Sequence, residues 1–363
     1  MAIKSHSVAL LVAFGVTTSA YPGMRNGDFT VHLHKRAGTS DAQVNQQLIG
    51  DLAHIGDTCL TPVGLDVKDI LIRSGNAISN EAYNTPVPSL GSDECTRDKC
   101  CVWKHIADDL VLTFHDSKTG QCTNPARSAV RLGFHDAAGW SKSTGELGGA
   151  DGSLVLNPEE ITRSANSGLQ EIVRQTKVWF DKYKDYGISM ADLIQFNANL
   201  ATFSCQQGPR IKTFVGRKDS SKAAPDGLLP ATTDSSDFLI ELFENKTISA
   251  SGLAALMGAH TASRQRFVDP ARAGDAQDTT PGIWDTLYYQ QTLRGAPKEV
   301  FTFQSDIVLS KDPRSGPAFS AFAESGQNLW NQAYAREYVR LSLLGVYNIN
   351  TLIDCTKALP TRN

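Results

Sequence analysis

Residues 126–136 read A-R-S-A-V-R-L-G-F-H-D, and no other stretch constrains the chain as tightly. Asn124 and Pro125 come just before, an N-cap followed by a proline at the first helical position, where its missing N–H is not needed. As a helix, the segment puts Arg131 and His135 on one face, because residues four apart lie one turn above another. Val130, Leu132, Phe134 and alanines make the surroundings apolar. A guanidinium that stays charged and an imidazole that titrates near neutrality suit proton transfer with charge stabilisation. The same spacing also describes a hydrogen-bonded core histidine next to a surface arginine, so the pair needs support from elsewhere in the chain.

Around this stretch the helical period recurs, while alternation of the strand type is scarce. Val44, Leu48, Leu52 and Ile55 mark one helix, and Leu65, Ile70 and Leu71 mark a second after Thr61 and Pro62. Trp103, Ile106 and Leu110 predict a third, leading into the Arg131 helix. Leu169, Ile172, Val173, Trp179, Phe180 and Tyr183 form another stripe beyond a glycine-rich loop. Ser189, with Asp192 three residues on, opens a helix over 190–203, and Ser249 or Ser251 opens one running to about Thr261. Residues 301–303 carry the best of the few strand signals. The body is therefore predicted to be mainly α. The run N-T-P-V-P-S-L-G-S at 84–92 has linker composition and sets off a small helical region, 37–91, from the body, 92–363.

The compartment follows from the first residues. Lys4, an apolar run at 8–16 and T-S-A ending at Ala20 predict a secretory signal peptide over 1–20, with a run too short to span a bilayer. Lys35 and Arg36 form a dibasic pair, which predicts a propeptide over 21–36. No later segment has the length and apolarity of a membrane helix, and a net charge of −3 gives no electrostatic case for a nucleic-acid partner. The seven cysteines all lie beyond residue 36; in a secreted chain they are expected to be mostly paired, and an odd number leaves one over. Cys100 and Cys101 are adjacent rather than spaced C-x-x-C, which disfavours zinc. Asn245-Lys246-Thr247 is the single N-x-S/T sequon, expected as a glycan site on a surface turn.

Beyond residue 36 the histidines are His54, His105, His115, His135 and His260. The first three stand among charged or polar neighbours and are expected to be solvated or capping. His260 closes L-A-A-L-M-G-A-H-T, where Gly258 and Ala259 let something bulky approach the backbone; a core histidine and a ligand both fit. Each of His135 and His260 is followed by an oxygen-rich segment. After His135 come Asp136 and G-G-A-D-G-S at 148–153, and after His260 come Thr261 and D-T-T-P-G-I-W-D at 278–285. Carboxylates, hydroxyls and main-chain carbonyls are the hard donors that calcium takes. Either cluster alone also describes an Asp/Gly turn, but two, each tied to a histidine segment, point to bound cations.

R-L-G-F-H-D, G-G-A-D-G-S, M-G-A-H-T and D-T-T-P-G-I-W-D, in that order over about 92–360, resemble the signatures of secreted fungal haem peroxidases, class II of the plant-type peroxidase superfamily. The resemblance implies two helical halves sandwiching a b-type haem, with few short strands. It implies His135 as the base that moves the peroxide proton, Arg131 as its partner and Phe134 against the haem. Asn166, in A-N-S-G-L, would accept the His135 Nδ1 hydrogen bond, and Glu160 would link that asparagine to a calcium region. His260 would bind the iron, and Asp306, in F-Q-S-D, would take its Nδ1 proton. Two calcium ions are implied. Asp136, the Gly149 carbonyl, Asp151 and Ser153 would hold one; Thr261, Asp278, Thr280, the Ile283 carbonyl and Asp285 would hold the other. The implied disulfides are Cys95–Cys101, Cys100–Cys355 and Cys122–Cys205, with Cys59 left free. The implied activity is reduction of hydrogen peroxide with one-electron oxidation of small phenolic or aromatic donors, by a secreted monomer with no nucleic-acid or membrane partner.

Departures from the family pattern narrow the donor. Asn124, Ser128 and Arg266 occupy the family's manganese-ligand positions, and Ala255 stands where lignin and versatile peroxidases carry a surface tryptophan. Trp140, a conceivable substitute relay, is expected to be a packing residue. Gln277 precedes Asp278, where an aromatic is usual. The long C-terminal tail of the family is missing, and 37–91 has no counterpart in it. What remains is the haem edge, with the loop 224–230 as one wall. The alternative is an inactive, calcium-stabilised secreted binding module on the same fold, which has no need of Arg131, His135, Asn166, His260 and Asp306 together. Intracellular cytochrome c or ascorbate types are disfavoured by the signal peptide and by Phe134, where those carry tryptophan.

Overall fold

Hydroxyl side chains set where many of the helices start. Thr61, Ser92, Thr123, Ser189, Ser235 and Ser249 each accept the amide of the residue three positions on, satisfying a donor the helix itself leaves free. The computed structural model describes residues 48–362; the signal peptide, the propeptide and Val44 lie outside the described residues. In chain order the helices are α1 Pro62–Leu71, α2 Asp93–Arg97, α3 Cys101–Phe114, α4 Asn124–Ala137, α5 Ser153–Leu156, α6 Gln170–Tyr183 and α7 Met190–Ser204. They continue with α8 Ser236–Glu244, α9 Ala250–Met257, α10 Leu287–Arg294, α11 Gln304–Lys311, α12 Gly316–Ser325 and α13 Gln327–Leu341. Two short strands, β1 Phe214–Val215 and β2 Ile353–Asp354, pair antiparallel with Phe214 opposite Asp354. The fold is thus mainly α, and no described helix is long and apolar enough to cross a membrane.

At the centre is α7, every residue of which is buried. Apolar residues recur on every side of it, and several of its buried polar groups are hydrogen-bonded, Asn199 to Thr213, Thr202 to the Ala198 carbonyl and Ser204 to the Leu200 carbonyl. The Arg131 helix, α4, packs along it, and Gly133 permits the approach: a Cβ there would lie 2.7 Å from Ala198 Cβ and 2.4 Å from the Tyr338 hydroxyl. The Tyr338 hydroxyl donates to Gln195 Oε1 at 3.0 Å, and Gln195 Nε2 donates to the Gly133 carbonyl at 3.0 Å. One polar chain therefore fixes α4, α7 and α13 together.

Four details differ from the expectations above. Thr123, not Asn124, caps α4, and Asn124 is the first helical residue. Of the stripe ending at Ile55, the described residues make only a 3-10 turn, Gly50–Ala53, where Gly50 is left-handed at φ +57°. A Cβ on Gly50 would lie 2.1 Å from the Val346 carbonyl, while Asp51 accepts the amides of Ile349 and Asn350 at 2.9 and 3.0 Å. Tertiary anchoring has overridden helical propensity there. The segment before the 84–92 run does not stand apart, since α1 packs on α13 and Arg340 donates to the Leu71 carbonyl at 2.8 Å. Residues 301–303 are not a strand: Phe301 makes one amide bond to the Ala276 carbonyl, and Phe303 is the residue before α11.

Three disulfides close, Cys95–Cys101, Cys100–Cys355 and Cys122–Cys205, and Cys59 is exposed and free. One thiol per native chain should therefore react with a thiol reagent; a count of zero in a monomer would contradict this pairing.

Candidate active site

On α4, Arg131 Nε donates to His135 Nε2 at 3.2 Å, and Arg131 Nη1 donates to the Ser167 carbonyl at 2.9 Å. Asn166, in the 3-10 turn Ser164–Asn166, brings its Oδ1 to 2.9 Å from His135 Nδ1. An amide oxygen can only accept, so the proton sits on Nδ1 and Nε2 carries the lone pair. Asn166 is held in turn by its Nδ2, which donates to the Glu160 main-chain carbonyl at 2.8 Å. The link from Glu160 to the asparagine thus runs through its backbone. Its carboxylate instead accepts the Ala224 amide at 3.0 Å, tying down the start of the 224–230 loop.

Electrostatics keep this base neutral. Burial first, and then the Arg131 charge, lower the His135 pKa to about 3, against a smaller upward pull from Asn166. Arg131 opens onto the cleft, but crowding by protein lowers its pKa only to about 10, so it stays charged at neutral pH. Phe134 meets the His135 ring edge-on at 5.5 Å and stacks on Phe243 at 6.2 Å.

His260 lies in the 3-10 turn Gly258–Ala262 that follows α9. Its Nδ1 is 3.2 Å from Asp306 Oδ2, and Asp306 is wholly buried near the start of α11. Tyr288 and Phe303 meet the His260 ring edge-on at 5.6 and 5.5 Å. With Nδ1 engaged, Nε2 is the nitrogen left to ligate a metal, and the carboxylate makes it a stronger donor. A third of the His260 side chain, 34%, stays accessible between buried neighbours, so it faces a cleft. This donor set fits a haem iron. Tyr288 was not picked out from the sequence, because an aromatic at helical spacing looks the same in any core, and Phe303 was read there only as part of a strand signal.

Both oxygen-rich clusters assemble beside their histidines. Asp136 is wholly buried and accepts the Gly152 and Leu154 amides at 3.1 and 3.3 Å. Burial, and then the Asp151 charge, raise its pKa; burial raises Asp151 to about 6. The buried Ser153 hydroxyl lies beside the Asp151 carboxylate and favours its charged form, and the Gly149 carbonyl closes the turn to the Asp151 amide at 2.8 Å. Asp219, not singled out beforehand, adds negative charge next to Asp151 while capping the first amides of α7 at 3.0 and 2.9 Å. Around the other cluster, the Thr261 hydroxyl bonds the Asp278 carboxylate and lies 3.4 Å from the Ile283 carbonyl. Thr280 donates its amide to Asp278 and its hydroxyl to Asp285, each at 2.8 Å. Burial raises Asp278 to about 7 and raises Asp285 as well. Buried carboxylates that repel each other, with hydroxyl and carbonyl oxygens at hand, fit a divalent hard cation.

The remaining candidates have other surroundings. His54 is exposed, His105 Nε2 lies 2.8 Å from the Pro88 carbonyl, and His115 Nδ1 lies 3.2 Å from the Ser204 carbonyl. Trp140 is 6% exposed and donates to the Gly145 carbonyl, as a packing residue does. Asn245 is half-buried at the end of α8, and the rest of its sequon is buried, Lys246 wholly so. Ala255 is buried, its carbonyl accepting Trp330 Nε1 at 2.9 Å. Gln277 is buried against the Ser263 hydroxyl, with its Nε2 unpartnered among the described residues.

Residues 106–325 match the peroxidase family model. The chain is 32% identical to "Ligninase C" of Trametes versicolor over 299 residues, covering 74% of this chain and 77% of that one. It is 28% identical to "Peroxidase" of Arthromyces ramosus, over 75% and 79% of the two chains. It is also 29% identical to "Versatile peroxidase VPS1" of Pleurotus eryngii, over 80% and 82%.

Proposed function

Because the chain belongs to the haem peroxidases, in their fungal class II branch, we propose that it oxidises small phenolic and similar aromatic donors at the haem edge. Hydrogen peroxide is reduced by two electrons to two waters, and two donors each give up one electron and one proton. The haem, when bound, supplies the redox chemistry, accepting oxidising equivalents from peroxide and releasing them one at a time. The protein's own groups move the protons and set the charges. His135 Nε2 takes a proton from peroxide and returns it to the departing oxygen, a general base turned general acid. Asn166 holds the tautomer in which that is possible. Arg131 stabilises the charge that develops as the oxygens separate. On the other side, Asp306 strengthens His260 as an iron ligand. Asp136, Gly149, Asp151 and Ser153, and Thr261, Asp278, Thr280, Ile283 and Asp285, would each hold a calcium ion next to one of the two histidines. The protein is read as secreted, after loss of residues 1–36.

The donor assignment rests on charge at the start of α4. Asn124 and Ser128 offer only neutral oxygens, Arg127 bonds Asn124, Arg264 adds positive charge next to Arg127, and by resemblance Arg266 takes the third ligand's position. Manganese(II), a hard cation, needs several anionic oxygens, and that corner has the opposite sign. Ala255, buried and aliphatic, offers no oxidisable ring for a bulky donor. A steady-state screen of the holoprotein with peroxide should show brisk turnover of phenols and no saturable turnover of manganese or veratryl alcohol. Efficient, saturable manganese oxidation would sink this assignment. Asn124→Glu and Ser128→Glu combined with Arg266→Asp should create that activity.

A further inference from the structure

Arg73 and Arg336 line a cavity of about 150 Å³ where the end of α1 meets α9 and α13, together with Ser251, Ala255, Phe322 and Glu337. Glu337 is the one carboxylate among these residues, and its side chain is 3% exposed. It serves two guanidiniums, both beyond hydrogen-bonding range: Arg73 Nη2 at 3.9 Å from Oε1 and Arg340 Nε at 3.6 Å from Oε2. Glu337 Oε2 accepts no hydrogen bond among the described residues. Arg340 has other anchors, donating to the Leu71 carbonyl at 2.8 Å and to the Thr247 hydroxyl at 3.3 Å. Arg336 has none: its Nε is buried and unpartnered among the described residues. Arg73 sits in a left-handed turn at φ +67° just past α1, with its side chain 42% exposed. Two guanidiniums, Arg73 and Arg336, therefore share the one carboxylate that lines this half-open cavity.

Partly buried guanidiniums are seldom left short of anionic charge. Burial lowers the pKa of Arg336, and Arg73 lowers it further against the pull of Glu337. We propose that this cavity binds a small oxyanion, taken between the Arg73 and Arg336 guanidiniums. Planar guanidinium forks match the paired oxygens of sulfate, phosphate or a carboxylate, and they match a spherical halide poorly. Ser251 can add a hydroxyl donor from the first turn of α9. The occupant would tie α1 to α13 and to α9, the helix that leads into His260. Structural stability would then depend on the anion, whichever donor the enzyme oxidises.

Thermal unfolding of the holoprotein tests this, with chloride exchanged for sulfate, and separately for acetate, at constant ionic strength. A site-bound ion raises the midpoint saturably. Saturation with sulfate identifies a tetrahedral ion, and saturation with acetate a carboxylate. Arg73→Gln and Arg336→Gln should each weaken the affinity by about tenfold or more, and together remove saturation. Glu337→Gln keeps the shape, removes the opposing charge, and should tighten binding several-fold. A purely structural ion-pair cluster gives the reverse, since loss of Glu337 leaves its arginines uncompensated. A midpoint no different in chloride, a saturable shift that survives the double arginine variant, or weaker binding in Glu337→Gln overturns the proposal. Should Glu337→Gln fail to fold, the two arginine variants decide the matter, because Arg73 and Arg336 sit at the rim of the cavity.

Discussion

Replacing His135 with alanine should leave the haem in place and slow its reaction with hydrogen peroxide by about 10²–10⁴-fold, the contribution of one well-placed acid/base group. The expectation rests on geometry. His135 Nε2 is the ring nitrogen that carries the lone pair, because Asn166 Oδ1 can only accept from Nδ1. Arg131 Nε, 3.2 Å away, places a fixed positive charge beside it. Burial first, and then that charge, hold the His135 pKa at about 3. The base is active when neutral, so the wild-type rate should stay level as pH falls and drop only on approaching about 3. His260→Ala should fail differently, by losing the haem, because its Nε2 is the nitrogen available to the iron. Stopped-flow absorbance of the peroxide reaction, together with the haem spectrum, separates the two. A normal rate in His135→Ala would remove the base assignment.

What could be seen in advance divides along physical lines. Helices with a long apolar stripe or a hydroxyl cap, such as α3, α6 and α7, were legible because period and cap are local properties. The turn at Gly50–Ala53 was not, since its backbone is set by Val346 and Ile349, about three hundred residues later in the chain. Strands of two residues are too short to show alternation, whereas Phe301 and Phe303 imitate it; Phe303 meets His260 edge-on and Phe301 packs on Phe303. In the site, Arg131 and His135 were legible as a pair because four residues make one helical turn. Asn166 and Asp306, which orient the two histidines, lie 31 and 46 residues from them, and no local pattern links them. Family resemblance alone pointed to those two. The Ser167 carbonyl that steadies Arg131 is backbone, so side-chain identity does not mark it. The arginine cavity was invisible for the same kind of reason. Arg73, Arg336 and Glu337 are unremarkable surface residues in the sequence, and they acquire a common environment only when α1 docks on α13.

Removing calcium should destabilise the protein, and by more at pH 7 than at pH 4. Burial raises Asp278 to about 7 and Asp151 to about 6 without an ion present, against about 3.9 in an unfolded chain. Between those limits the metal-free folded protein binds protons that the unfolded chain does not. Its stability is therefore full below about pH 4 and declines as pH rises through the folded values, by at most ~1.4 kcal/mol per unit for each group. For Asp278 alone the loss approaches a few kcal/mol at neutral pH. Calcium reverses the sense, because it needs the ionised carboxylates and displaces their protons. Its stabilising effect should thus grow from pH 4 to pH 7, and its affinity should fall on acidification. Asp136 and Thr261 directly follow His135 and His260, so loss of the ions should also change the haem spectrum. Thermal unfolding with and without chelator at three pH values, with metal content measured on each sample, gives the comparison. Asp278→Asn, a neutral replacement of similar shape, should bind one calcium fewer and lose most of the pH dependence of the metal-free form. A chelated sample free of calcium, with unchanged spectrum and unchanged midpoint at pH 7, would show that neither cluster holds its histidine through a metal ion.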